Sequence, residues 1–302
     1  MKKWILMIIL LCVFALCILY NDTIISFLIT NFAKIDKKTT VLQNNTYATQ
    51  RNYEFVQLAD NFTPSNKQDL VNIYYTVLNS GMSDFTFYCP TEYKDCINDV
   101  DYLSNNQILL SNINNFVPVY NSFQNIETEF DTLGKVTISI HHSYTKEEIL
   151  KLEDVIANII GENITENMKI EDRIKTIHDY IINTTKYDTD RSDNKGTTYH
   201  SDTAYGALVE HYAICGGYAD SMKLFLDYFE IPNYKISSEN HIWNLVYLDN
   251  EWRHLDLTWD DPVTSDGKDI LEYDYFLIST EELSDLKTDQ HVFDKTIYVE
   301  AN

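Results

Sequence analysis

The stretch from Tyr205 to Pro262 constrains the fold more tightly than any other. It reads YGALVEHYAICGGYADSMKLFLDYFEIP, then NYKISSENHIWNLVYLDNEWRHLDLTWDDP. From Cys215, apolar residues recur at Tyr218, Met222, Phe225, Leu226 and Phe229, with Leu224 beside them, until Pro232. That is a helical period ended by a residue that cannot continue a helix. Two strand-like runs follow, separated by Asp249-Asn250, a pair suited to a two-residue hairpin turn. A helix that opens on cysteine and leads into an antiparallel pair predicts an α+β fold.

The turn sets a register. With Leu248 paired to Glu251, Trp243 lies opposite Asp256 and His241 opposite Thr258. His241 and Asp256 then become diagonal neighbours on one face, roughly 7–8 Å apart at the backbone. That face (His241, Trp243, Asp256, Thr258) is expected to look towards the Cys215 end of the helix, with Ile242, Val246, Leu255 and Leu257 packed on the other. His254 shares the first face further along, opposite Leu245. It reads as a surface or packing residue, and its loss is expected to be close to neutral.

Cys215, His241 and Asp256 have the order and spacing of an acyl-transfer triad. At a helix N-terminus the unpaired amides and the helix dipole favour a thiolate. His241 would take the thiol proton, and Asp256 would fix the imidazole tautomer and stabilise its charged form. Attack on an amide carbonyl gives a thioester, resolved by water or by an amine. The backbone N–H of Cys215 is a natural oxyanion donor. Gly216 and Gly217 are expected to let a substrate backbone approach the sulfur, with Tyr218 and Trp243 completing the substrate-binding set. No HExxH, CxxC, P-loop or GxGxxG is present, so neither metal nor nucleotide cofactor is expected.

The 302 residues carry 44% hydrophobic and 13% aromatic side chains, enough for a real core, and a formal net charge of −23. Such a charge argues against nucleic acid, whose phosphates need clustered Lys and Arg. The abundance of Asn, Ile, Lys and Tyr suggests a bacterial source with an AT-rich genome. Lys2 and Lys3 precede Trp4–Tyr20, seventeen residues without charge or proline, and an apolar run after Asn21-Asp22 extends them. With no small-residue cleavage site behind it, residues 1–33 read as an uncleaved signal-anchor spanning the membrane, with the body outside the cytoplasm. Cys12 and Cys17 lie in that segment. Cys89 and Cys96 either form a local disulfide or stay as thiols, and Cys215 is left unpaired, as a nucleophile must be.

Residues 34–142 read as a polar tether over 34–64 followed by a small α+β region. It contains a helix over 67–78 capped by Ser65 and ended by Gly81, a strand at 84–88 and a second helix over 99–112. A hairpin around Thr132-Leu133-Gly134 closes it. His141 and His142, adjacent on a strand, point to opposite faces and make poor co-ligands for a metal. From 143 to 302 a second domain begins with a capping box at Thr145 and Glu148, then a helix over 170–182 carrying His178, read as structural. Residues 184–203 are charge-rich and contain Gly196; they are expected to be a mobile loop beside the site.

The runs Cys215-Gly216-Gly217-Tyr218-Ala219, His241-Ile242-Trp243-Asn244 and Asp256 to Pro262 together resemble the transglutaminase-like superfamily, in its bacterial transglutaminase/protease-like, cytokinesis-like branch. Ile177–Asp188 and Tyr273–Thr280 are similar to that branch too, so the resemblance covers about residues 145–295. Ala213-Ile214 departs from it, where the family often has Gly-Val. The resemblance implies a papain-like core, the Cys helix packed on an antiparallel sheet, and a triad at Cys215, His241 and Asp256. Two functions compete: a membrane-anchored cysteine peptidase or transglutaminase-type enzyme acting on protein or peptide amides, and a non-catalytic scaffold of that fold at the cell wall or division site.

Overall fold

The computed structural model describes residues 38–263 and 270–302; the expected signal-anchor lies outside the described residues. Among the described residues no helix is long and apolar enough to cross a membrane. Residues Thr39–Asn302 form one compact α+β unit with antiparallel sheets. The expected boundary between 142 and 143 falls inside it.

The segment from residue 38 to 66 has no helix or strand, yet it is not a tether. Val56 is fully buried, and the Tyr53 ring packs edge-on against Tyr75 and Tyr234. Helix α1 (Lys67–Ser80) is capped by Asn66, one residue later than expected, and Gly81 ends it at φ 74°. Ser65 instead bonds the Asp69 carboxylate. Strand β1 (Asp84–Tyr88) follows. The helix expected over 99–112 is two, α2 (Cys96–Asn105) and α3 (Gln107–Asn114). Asn106 breaks it: its N–H closes α2 onto Leu103 while its side chain caps α3 at Leu109. Strands β2 (Phe123–Phe130) and β3 (Lys135–His142) make the expected hairpin, and the sheet runs β1-β3-β2. A Cys89–Cys96 disulfide ties β1 to α2.

Helix α4 (Lys146–Asn163) opens with the Thr145/Glu148 capping box, and α5 (Ile170–Thr184) follows. The segment read as a mobile loop is instead built into the fold. It holds β4 (Lys186–Tyr187), paired in parallel with β5 (Tyr212–Ala213), and the single turn α6 (Thr189–Ser192). Backbone bonds from Asp188 to Ala213 and from Ile214 to Ser201 clamp it to the chain entering α7 (Cys215–Tyr228).

The central sheet comprises β6 (Asn233–Ser237), β7 (Ile242–Leu248), β8 (Glu251–Leu255) and β9 (Phe276–Ile278), in that order and antiparallel. Leu248 pairs with Glu251 and Asn244 with Leu255, so the register is the expected one. Asp249 and Asn250 both take positive φ, 52° and 68°, as a type I′ turn requires. Both faces of the sheet are covered. Tyr234, Ile236, Trp243 and Leu245 enter one core with Ile113, Phe116 and Val117 from the N-terminal half. Val246, Leu255 and Leu257 enter a second core with Met222, Phe225 and Leu226 of α7 and Ile174, Ile177 and Ile181 of α5.

The Cys215 helix therefore packs on the Val246–Leu255 face, opposite the one expected. His241 and Asp256 meet it by standing just outside the ladder, before β7 and after β8, at the end of the sheet.

A buried ion pair joins this helix to the sheet. Lys235 Nζ on β6 lies 2.5 Å from Asp220 Oδ1 on α7, and Tyr144 donates to Asp220 Oδ2 at 2.6 Å. Removing one member leaves an uncompensated buried charge. Asp220→Ala is expected to lower stability by about 3–5 kcal/mol, and the double change Asp220→Leu with Lys235→Met to recover much of it. Urea midpoints of the three proteins check this.

Candidate active site

Cys215 is the free cysteine of the described residues and is partly exposed. It opens α7, where the Ile214 side chain caps nothing and the Ile214 carbonyl accepts from the Gly217 and Tyr218 amides. The two glycines behind it serve a close approach of the protein's own chain. A Cβ at Gly216 would stand 2.8 Å from Asp202 O, and one at Gly217 would stand 2.6 Å from Ser201 O. The backbone of residues 201–203 thus fills the space expected for substrate over the helix start.

His241 Nε2 lies 2.5 Å from Asp256 Oδ2, and its other ring nitrogen is left for the hydrogen bond to Cys215. Burial opposes charge on this imidazole. The Asp256 carboxylate and the bonds to Asp256 and Cys215 outweigh it and push the ring up to about 10. Burial likewise works against the Asp256 anion, but His241 and then His291 overcome it and hold the carboxyl well below its usual range. Asp256 Oδ1 accepts the N–H of Thr258 at 3.0 Å and of Trp259 at 3.3 Å. The structure thus brings together all three residues of the expected triad.

It does not bring Tyr218 or Trp243 to substrate. Both are 1% exposed. The Tyr218 hydroxyl donates to Asp261, clamping the Cys215 helix to the loop after Asp256. Trp243 stacks parallel on the His241 ring at 5.5 Å and donates Nε1–H to His254 Nδ1 at 3.0 Å. It is a wall for the imidazole. His254 is buried, with Nε2 at 2.9 Å from Thr280 Oγ1. Burial first, then nearby His291, push it down to about 3. His254 is thus not a surface residue, and its removal orphans the Trp243 N–H. Asp260 anchors the same loop by accepting the Tyr275 N–H and lying 3.1 Å from buried His178 Nε2.

Sequence reasoning missed His291 altogether. Its Nε2 lies 2.8 Å from the same Asp256 Oδ2 that His241 uses. Nothing local flags it: it stands 35 residues from Asp256 in a 3₁₀ turn, Asp289–His291. His241, Asp256 and His291 form a set whose ligand-type atoms lie within 4.8 Å of one another, a composition a metal ion can use. Here both imidazole nitrogens are directed at one carboxylate oxygen, which their N–H groups satisfy.

A groove of about 650 Å³ has Gly216 and Ile242 in its wall, next in sequence to Cys215 and His241. Glu148, Arg191, Lys235 and His142 also line it, and the buried Nε2 of His142 has no partner.

No family model matches the sequence, and no curated protein matches it. Among solved structures, the chain is similar to a transglutaminase, described as a TGase, over 45% of its own length and 44% of that chain, at 16% identity and a TM-score of 0.34. It is also similar to a candidate cysteine protease from Cytophaga hutchinsonii over 49% of its own length and 65% of that chain, at 14% identity and a TM-score of 0.29. The chain thus spans less than two thirds of either.

Two outcomes follow from the buried histidines. His254→Ala is expected to lower the unfolding free energy by about 1–3 kcal/mol, the cost of orphaning a buried donor, read from denaturant midpoints. The folded pKa of His241, about 10, lies above its ordinary 6.5, so the folded state holds that proton more tightly than the unfolded chain. Its stabilisation is complete below about pH 6.5 and is lost as pH rises from there to about 10. Urea titrations across this interval are expected to show wild type losing more stability than His241→Gln.

Proposed function

We propose that this chain is a transglutaminase-like cysteine enzyme that acts on protein or peptide amides through a thioester. One observation carries the reading: a partly exposed thiol at a helix N-terminus is hydrogen-bonded to an imidazole whose far nitrogen meets a buried carboxylate at 2.5 Å. A scaffold has no need of that arrangement. His241 takes the Cys215 proton, and the thiolate adds to the amide carbonyl, whose oxygen turns towards the Cys215 N–H. The imidazolium then gives its proton to the departing amine, leaving an acyl-thioester that water or a second amine resolves. Asp256 stays ionised throughout and holds the ring.

The groove beside Gly216 and Ile242 is the approach we assign to the acyl donor. The unpartnered His142 Nε2 there offers a hydrogen bond to a substrate polar group. We further place the body outside the cytoplasm, held by residues 1–33; the Cys89–Cys96 disulfide fits an oxidising compartment.

Incubating residues 39–302 with a glutamine-containing peptide library, with and without a primary amine, tests the reaction. Cys215→Ala is expected to abolish turnover, and Asp256→Asn to lower kcat by about 10⁴ while leaving the fold intact. His142→Ala is expected to raise KM several-fold with kcat little changed. Equal turnover by wild type and Cys215→Ala would refute the enzyme reading.

A further inference from the structure

We propose that His291 is a positioning residue of this site, whose Nε2–H holds Asp256 Oδ2 against His241 and shares its negative charge. The inference rests on the enzyme reading above and extends it to a residue that touches no reacting atom.

The geometry defines the proton arrangement. Asp256 is ionised and can only accept, so the two imidazole nitrogens that meet Oδ2, at 2.5 Å from His241 and 2.8 Å from His291, both donate. On the far side of His291, Nδ1 lies 2.6 Å from Thr288 Oγ1. With Nε2 donating to the carboxylate, Nδ1 bonds the threonine hydroxyl, which fixes the ring from its other side. A directed chain results: Thr288 to His291 to Asp256, meeting His241 and Cys215 from the other side. The His291 ring is caged, stacked on Tyr275 at 5.0 Å and edge-on to Trp243 at 4.9 Å and Trp259 at 5.1 Å, and is 5% exposed. A ring so enclosed has no solvent to offer its proton to, and the carboxylate is what it faces.

The consequence falls on His241. A carboxylate with a single imidazole donor on Oδ2 concentrates its charge on that ring and makes the imidazolium slow to release its proton. A second donor draws part of that charge away, so His241 protonates the leaving amine more readily. The titratable groups facing this pair are Cys215 from the helix terminus, His254 from β8, Asp260 and Tyr275 from between β8 and β9, and His291 itself.

The test is the pH dependence of Cys215 alkylation by iodoacetamide in residues 39–302. Its alkaline inflection marks loss of the imidazolium proton, and His241→Ala identifies that inflection by removing it. His291→Gln, which keeps an N–H donor, is expected to retain the wild-type inflection. His291→Phe, which fills the cage without a donor, is expected to raise it by about one pH unit. Thr288→Val, which leaves the carboxylate untouched, is expected to move it the same way by less; this variant carries the test if Phe fails to fold. A merely structural role predicts the reverse order, with Phe tolerated and Gln not, and that result overturns the proposal. An inflection unmoved in both Phe and Val variants, while His241→Ala removes it, overturns the role of His291 alone. A wild-type profile without any His241-dependent inflection overturns the enzyme reading and this inference together.

Discussion

The carboxylate of Asp256 is the constraint around which the rest of the site is arranged. It is 2% exposed and accepts from two imidazoles and two backbone amides. An anion at that depth is tolerated only because every donor around it is in place, each charge-assisted bond contributing roughly 1.5–3 kcal/mol. Those donors come from widely separated parts of the chain: the approach to β7, the turn after β8, and the 3₁₀ turn at Asp289–His291. The surrounding rings, Trp243, Trp259 and Tyr275, exclude water from the same volume. The electrostatics of the candidate site and its local stability therefore share one set of contacts.

The sheet that delivers these groups is covered on both faces. The N-terminal half packs on the Trp243 and Leu245 side, with Phe116 4.7 Å from Tyr234 and the Asn115 carbonyl accepting from the Lys235 N–H. Helices α5 and α7 pack on the Val246 and Leu255 side. Residues from this half thus support one face of the sheet. With both faces occupied, the end of the sheet is where a strand residue can still meet the start of a helix. The two glycines after Cys215 let residues 201–203 close over the helix there.

Local pattern made much of this legible. The Cys215 helix, the Asp249-Asn250 turn, the register it imposes and the Thr145 capping box are all set by contacts within a few residues, where periodicity and turn chemistry act. The pairing of His241 with Asp256 followed from that register because a two-residue turn leaves little freedom in which side chains lie across from each other. The misassignments share a different cause. Tyr218 and Trp243 were read as substrate contacts because they stand near Cys215 and His241 in sequence, yet burial decided their role. His254 was read as dispensable because its partners, Trp243 and Thr280, converge on it only in the folded sheet.

The sequence by itself determined which residues could carry acyl-transfer chemistry, the α+β class, and the parity that sets His241 and Asp256 on one side of the hairpin. Those are consequences of short-range geometry: a helical period, an alternating period and a turn that tolerates two positive φ angles. The tertiary structure decided which face of the sheet receives the Cys215 helix and what fills the space above Gly216 and Gly217. It also decided that a second imidazole meets Asp256. Each of these depends on burying side chains far apart in the chain against one another, and a pairing such as His291 with Asp256 leaves no trace in the residues between them.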